Sequence, residues 1–251
     1  MPQSSDLHPE RPEAAPPSDP FRDPALVNPD AAVVTVWSDI GCPWASLALH
    51  TLRSRADEQD FDLVIDHRAF PLELFNKRPT PKGIIDVEVT AIAGLVPAMG
   101  WRPWSGPESE YVVSTLPAMA AVQAAKLASV GGLRASAALD AALRDAFYTS
   151  SRCITVHSEI LDAASACGAV NLDALGQALE SGQGYDEVFS QWATARALPV
   201  QGSPHLFVTD RYAEHNPGVD YHWTGRPGLG FPRFDRYDAT WADVVLDLVA
   251  T

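Results

Sequence analysis

Residues 32 to 46 read AVVTVWSDIGCPWAS. Val33 to Trp37 is a short β-branched and aromatic run, the composition of a strand buried on both faces. Pro43 suits a first helical turn, where its missing N–H would have no intrahelical partner, and Trp44, Leu47, Ala48 and Leu52 recur after it at helical spacing. The turn SDIGC joins the two elements and leaves Cys42 at the helix N-terminus. Unsatisfied backbone N–H groups and the positive end of the helix dipole favour thiolate over thiol there, so Cys42 is expected to be nucleophilic at neutral pH. An arbitrary cysteine in such a turn is more often a small buried hydrophobe, and the decision between the two rests on features elsewhere in the chain.

Outward from this stretch, Phe61 to Phe70 reads as a second strand in which Leu63, Ile65 and His67 alternate with more polar neighbours, which makes the opening β-α-β. From about Leu72 to Leu198 the pattern is helical. An Ala-rich helix follows Ser114-Thr115-Leu116-Pro117 and runs to Val130, and Leu133 to Tyr148 forms another with Leu139, Leu143 and Phe147 on one face. Thr155 is placed to cap a helix ending at Cys167 before Gly168, Asn171 caps the next, and Tyr185 to Ala197 forms the last, with Phe189 and Trp192 inward. Strands then return at His205 to Thr209, with Val219 to Thr224 pairing back after the Asn216-Pro217-Gly218 turn. Gly225 to Tyr237 reads as loop and Thr240 to Ala250 as an amphipathic terminal helix.

Residues 1 to 30 hold eight prolines among Asp, Glu and Ser and read as a disordered tail. The chain of 251 residues carries a net charge of −14, which argues against nucleic acid or anionic lipid as a partner. No apolar run reaches the roughly 18 residues of a membrane span, and the N-terminus lacks the blocks of a signal peptide, so a cytoplasmic location is expected. Cys42, Cys153 and Cys167 form neither a zinc pattern nor a secreted disulfide framework. No nucleotide-binding motif and no metal motif is present, and no tightly bound cofactor is expected.

Val200-Gln201-Gly202-Ser203-Pro204-His205 puts a proline directly before a strand, a position where a cis peptide bond turns the chain sharply. With Cys-Pro-Trp-x opening the first helix, and with the HRAFPLE stretch at 67 to 73 between them, the sequence resembles the DsbA-like branch of the thioredoxin superfamily. It resembles above all the FrnE-like proteins and their mycothiol-dependent relatives, and it is similar also to kappa-class glutathione transferases and hydroxychromene-carboxylate isomerases. The resemblance spans about residues 32 to 250. It implies an α/β, thioredoxin-like fold in the order β-α-β, helical insertion, β-β-α. Residues 31 to 71 and 199 to 251 would form the thioredoxin-like domain and 72 to 198 the inserted helical domain.

By the same resemblance Cys42 takes the role of the nucleophilic thiol and Pro204 that of the cis-proline beside it. Ser203 would offer its backbone to an extended thiol ligand, and Pro43, Trp44 and His205 would line the thiol-binding side. The departure is Ala45, which stands where two-cysteine members carry the resolving thiol. The function implied is thiol-disulfide exchange by a monothiol mechanism, with mycothiol or glutathione as co-substrate and a small-molecule thiol or disulfide as partner, in a monomer or homodimer. Two alternatives stay open: a thiol-dependent transferase or isomerase that activates a bound thiol, and a non-catalytic thioredoxin-fold binding protein. Asp39 reads equally as an acid or base near the thiol and as a brace of the turn. His205 reads as a thiolate partner or as a residue turned into the sheet. His215, His222, Arg226, Arg233 and Arg236 read as surface and loop residues.

Overall fold

The computed structural model describes residues 20 to 251. Strand β1 (Val33–Ser38) lies inside a four-stranded sheet of order β2-β1-β3-β4. It runs parallel to β2 (Val64–Ala69) and antiparallel to β3 (His205–Val208), which pairs with β4 (Tyr212–His215). Every residue of β1 is buried, as its β-branched and aromatic run suggests, the polar Thr35 and Ser38 included. The two-residue alternation of a strand divides its side chains between two cores. Val34 and Val36 join Leu206 and Val208 under helices α1 (Pro43–Glu58) and α9 (Trp241–Val249). Trp37 joins Phe207 and Phe70 on the opposite face.

Between β2 and β3 stand the short α2 (Leu72–Phe75), then α3 (Lys82–Leu95), α4 (Leu116–Ala125), α5 (Gly132–Tyr148), α6 (His157–Cys167), α7 (Leu172–Glu180) and α8 (Tyr185–Ala197). Their core centres on Met119, Leu139, Leu143, Phe147, Ile160, Leu175 and Val188. The expected α/β order is therefore present, with the helices inserted after β2. No helix among the described residues is long and apolar enough to cross a membrane.

Several local expectations are corrected. The tail expected over residues 1 to 30 falls outside the described residues as far as residue 19, but within the described part Phe21, Leu26 and Val27 are packed against the sheet. Leu26 is 0 % exposed and sits with Val27 against Trp37 and Phe207, and the Trp37 indole donates to the Leu26 carbonyl at 2.8 Å. The high proline content conceals this apolar pair, which covers the outer face of the sheet. Val219 to Thr224 does not pair with β3. Instead β5 (Val219–Trp223) pairs with β6 (Pro232–Tyr237), inside the stretch expected to be loop, as a separate two-stranded sheet. Thr155 does not cap α6; its hydroxyl donates to the Ser114 carbonyl, while Gly168 ends that helix in the left-handed region. Asn171 does cap α7, accepting from the Ala174 N–H. Phe189 is 48 % exposed, not inward, and Trp192 alone turns to the core.

Leu26→Ala is expected to cost about 2–5 kcal/mol of folding stability, the range for truncating a fully buried leucine. Urea denaturation measures it, and a change near zero would place residues 20 to 30 in solvent.

Candidate active site at Cys42 and Ser203-Pro204

Cys42 is the residue that caps α1, with extended backbone and with Pro43 next in the first turn, as the sequence predicts. The Ser203-Pro204 peptide bond is cis. Although 161 residues apart, the two segments meet: the Cys42 thiol donates to the Ser203 carbonyl at 3.2 Å. The Asp39 N–H donates to the Ser203 hydroxyl at 2.9 Å and fastens the turn before α1 to the same loop.

The Asp39 side chain acts as the brace of the turn. One carboxyl oxygen accepts from the Gly41 N–H and the other from the Leu72 N–H, each at 2.8 Å. Burial pushes this carboxyl up, against the pull of those N–H groups and of the Thr115 hydroxyl. Gly41 is needed for close approach, because a Cβ there would lie 2.9 Å from the Thr115 methyl. Helix α5 completes the support. The Arg144 guanidinium donates to the carbonyls of Asp39 and Ile40 and to the hydroxyls of Ser46 and Ser38, and it is balanced by Asp140 at 2.9 Å. Arg53 also reaches Asp140, at 3.1 Å, and the Tyr148 hydroxyl donates to the Ile40 carbonyl.

Cys42 is 3 % exposed and packs with Trp44, Ala45, Leu47, Ile92 and Val219. That burial pushes its thiol up to about 12, assisted by the negative charges of Glu88 and, more weakly, Asp39. The Ser203 hydroxyl and the Ala45 N–H pull it down but do not prevail. The expectation of a thiolate at neutral pH is thus corrected: the helix N-terminus has its effect, and desolvation exceeds it.

A cleft of about 320 Å³ is lined by Cys42, Pro43, Trp44, Glu88, Ser203 and Tyr221, with Arg78 and Thr80 also on its walls. Trp44 stacks on Tyr221 at 3.9 Å and meets Phe234 edge-on at 5.5 Å, so the β5–β6 pair covers one side of the site. Glu88, from α3, is 8 % exposed and accepts from the Trp44 indole N–H at 3.0 Å. Burial pushes its carboxyl up to about 7.

His205 takes the other path open to it. Its Nδ1 accepts from the Gln201 N–H at 3.0 Å, its ring packs on Phe207 at 4.2 Å, and burial pushes it down to about 4. The cleft is lined by Ser203 and not by His205. His215 meets the Pro204 carbonyl at 2.7 Å and His222 pairs with Asp235, so neither belongs to a metal cluster; no group of three or more His, Cys, Asp or Glu side chains suited to a metal ion occurs among the described residues. All three cysteines are free, Cys153 packing against the helical core and Cys167 donating to the Ala164 carbonyl.

Sequence reading missed Glu88, Asp140, Arg144 and Tyr221. Glu88 interrupts an otherwise apolar stripe of Ile85, Val89 and Ile92 in α3, and Asp140 and Arg144 stand four residues apart on the same face of α5 as Leu139 and Leu143. A charge on a buried helical face was the available signal.

The family model described as the DSBA-like thioredoxin domain matches residues 33–225. No curated protein matches the chain. Among solved structures, the cytosolic disulfide reductase DsbM from Pseudomonas aeruginosa is similar at 18 % identity and a TM-score of 0.57, over 87 % of this chain and 95 % of that one. A second structure of it, with GSH, is similar at 19 % identity and 0.54, over 73 % and 89 %. A probable DsbA oxidoreductase from Streptomyces coelicolor gives 17 % and 0.59 over 87 % and 88 %. A 2-hydroxychromene-2-carboxylate isomerase gives 16 % and 0.51 over 72 % and 88 %. At such identities the likeness is one of fold.

Two outcomes are expected of this geometry. Asp140→Asn removes the charge balancing Arg144 in a buried pair and should cost about 3–5 kcal/mol of stability, measured by denaturant unfolding. Alkylation of Cys42 by iodoacetamide at neutral pH, followed by peptide mass spectrometry, should be at least about a hundredfold slower in the folded than in the unfolded protein, because the buried thiol supplies so little thiolate. A rate faster in the folded than in the unfolded protein would restore the expectation of an activated thiolate.

Proposed function

This chain belongs to the DSBA-like thioredoxin family, and from that premise we propose that it is a thiol-disulfide oxidoreductase working through the single nucleophile Cys42. The observation that carries the reading is the Cys42 sulfur at the N-terminus of α1, facing the Ser203 carbonyl beside cis-Pro204 on the wall of an open cleft. The Cys42 sulfur attacks a substrate disulfide and forms a mixed disulfide while one substrate thiol departs. Ala45 offers no second sulfur for release. Cys153 lies against the helical core and the Cys167 thiol is engaged with its own helix, which favours an external thiol for release. That external thiol would be a low-molecular-weight one, glutathione or mycothiol, entering the cleft beside Cys42, and the similar structure of DsbM with GSH supports that choice. Pro43, Trp44 and Ser203, which line the cleft, would hold this co-substrate, and the buried Pro204, outside the lining, would act only through the cis bond that sets Ser203 in place. His205 would act only by fixing the Gln201 end of the loop. A cytoplasmic setting, as the name of DsbM states for that protein, belongs to the same reading.

The raised Cys42 thiol favours a second reading: a transferase or isomerase of the hydroxychromene type, in which the cleft activates a bound thiol and Cys42 stays protonated.

Intact-mass measurement after exposure to oxidised glutathione or mycothiol separates the two. The expected result is one thiol adduct per chain, absent in Cys42→Ser and removed by the reduced thiol. Thiol-transfer activity that survives Cys42→Ser, with thiol bound non-covalently, would transfer the assignment to the second reading.

A further inference from the structure

A thiol that is buried and protonated at neutral pH needs somewhere to put its proton before it can attack. The two carboxyls whose charges reach Cys42 are Asp39 and Glu88. Both Asp39 oxygens are held by backbone N–H groups, and Asp39 is not part of the cleft wall. Glu88 lines the cleft together with Cys42 and Ser203. Its Oε1 is fixed by the Trp44 indole, while Oε2 takes no hydrogen bond from any described residue. No cation among the described residues is paired with it. The groups around it are the Cys42 thiol of α1, the Tyr221 hydroxyl of β5, kept protonated by burial, and the ring of Phe234 in β6 beyond Trp44, with Arg78 as the cation of the cleft wall.

We infer that Glu88 is a catalytic residue of the exchange, its free Oε2 accepting the Cys42 proton during attack and returning it to the departing sulfur. The inference rests on the monothiol oxidoreductase reading above. As the Cys42 sulfur bonds to one sulfur of the substrate disulfide, its proton passes to the Glu88 carboxylate. The substrate S–S bond breaks, its electron pair stays on the leaving sulfur, and that sulfur takes the proton from Glu88. The products are the Cys42 mixed disulfide and one free thiol, with no other reagent consumed. Release by a second low-molecular-weight thiol repeats the transfer in reverse order: the incoming thiol gives its proton to Glu88, and the departing Cys42 sulfur receives it. Because the carboxyl sits at about 7, both its forms are populated at neutral pH, which suits a group that must both take and give a proton.

The test is the rate of mixed-disulfide formation at Cys42 with oxidised glutathione, followed by intact mass from about pH 5.5 to about 9 in wild type, Glu88→Gln and Glu88→Asp. Glutamine keeps an acceptor for the Trp44 indole and removes the proton carrier. Wild type should gain rate as pH rises through about 7, where the carboxyl becomes the basic form. Glu88→Gln should lose that limb, react at least about tenfold more slowly at neutral pH, and speed up only when the thiol itself ionises. Glu88→Asp should retain the limb, and an unchanged melting temperature for Glu88→Gln checks its fold. A role confined to charge gives the opposite sign: losing the carboxylate lowers the Cys42 pKa, so Glu88→Gln would react as fast as wild type or faster, and that result overturns the inference while leaving Cys42 as nucleophile. Absence of any adduct in wild type at every pH would instead remove the oxidoreductase reading, and this inference with it.

Discussion

The buried guanidinium of Arg144 is the contact on which the site depends. The turn from Ser38 to Cys42 leaves the ladder of β1 before the helix of α1 begins; backbone N–H groups reach the carbonyls of Ser38, Asp39 and Cys42 but not that of Ile40, and burying it unpaired would be costly. Arg144 donates to the carbonyls of Asp39 and Ile40 and to the hydroxyls on either side of the turn, and the Ser46 hydroxyl passes the contact on to the Cys42 carbonyl. The charge is tolerated because Asp140, one helical turn away, holds its other edge. A buried ion pair of this kind contributes little net stability over an apolar replacement, yet removing either partner is severe. Its effect here is positional. The inserted helices fix the backbone that presents the thiol, although none of their side chains was identified as part of the site from sequence.

Magnitudes decide the charge state of Cys42. A helix N-terminus favours an anion by about 0.3–1 kcal/mol, and by about 2 kcal/mol in partly buried settings. A thiol raised from 9.0 to about 12 is harder to ionise by about 4 kcal/mol. Burial therefore outweighs the dipole, and two carboxyls nearby add to it. The same burial acts on Glu88 in the opposite functional sense, because a carboxyl pushed up to about 7 is a better base than one in water. Burial thus weakens the thiol as an acid and strengthens the carboxylate as a base, while the Trp44 indole N–H pulls the carboxyl partly back.

What sequence alone revealed follows from the range of the interactions. The buried run of β1, the Pro43 helix start and the proline before β3 are local patterns, and each stands where the residues place it. His205 was ambiguous because a strand's period offers two faces, and only the pairing of Trp37 with His205 decides which face it takes. β6 was read as loop because Gly, Pro and Arg between Gly225 and Tyr237 obscure six strand residues, of which Phe234 meets Trp44 edge-on beside the Tyr221 stack. Arg144 and Glu88 are meaningful only by what lies across the fold from them. Their charges on apolar helical faces indicated a buried partner without naming it.

Ala45 separates two functions that two-cysteine members carry in one motif. Its side chain is 0 % exposed and packs among Leu47 and Ile92, so the position belongs to the core whatever sulfur chemistry it carries. Its N–H still reaches Cys42 and pulls that thiol down, a contribution of the backbone that any residue except proline would make at this position. On the proposed reading, attack needs the backbone of α1, the Ser203-Pro204 loop and the cleft walls, all present without a second cysteine. Release alone would need the missing sulfur, and the cleft that Cys42 lines is where an external thiol would enter in its place.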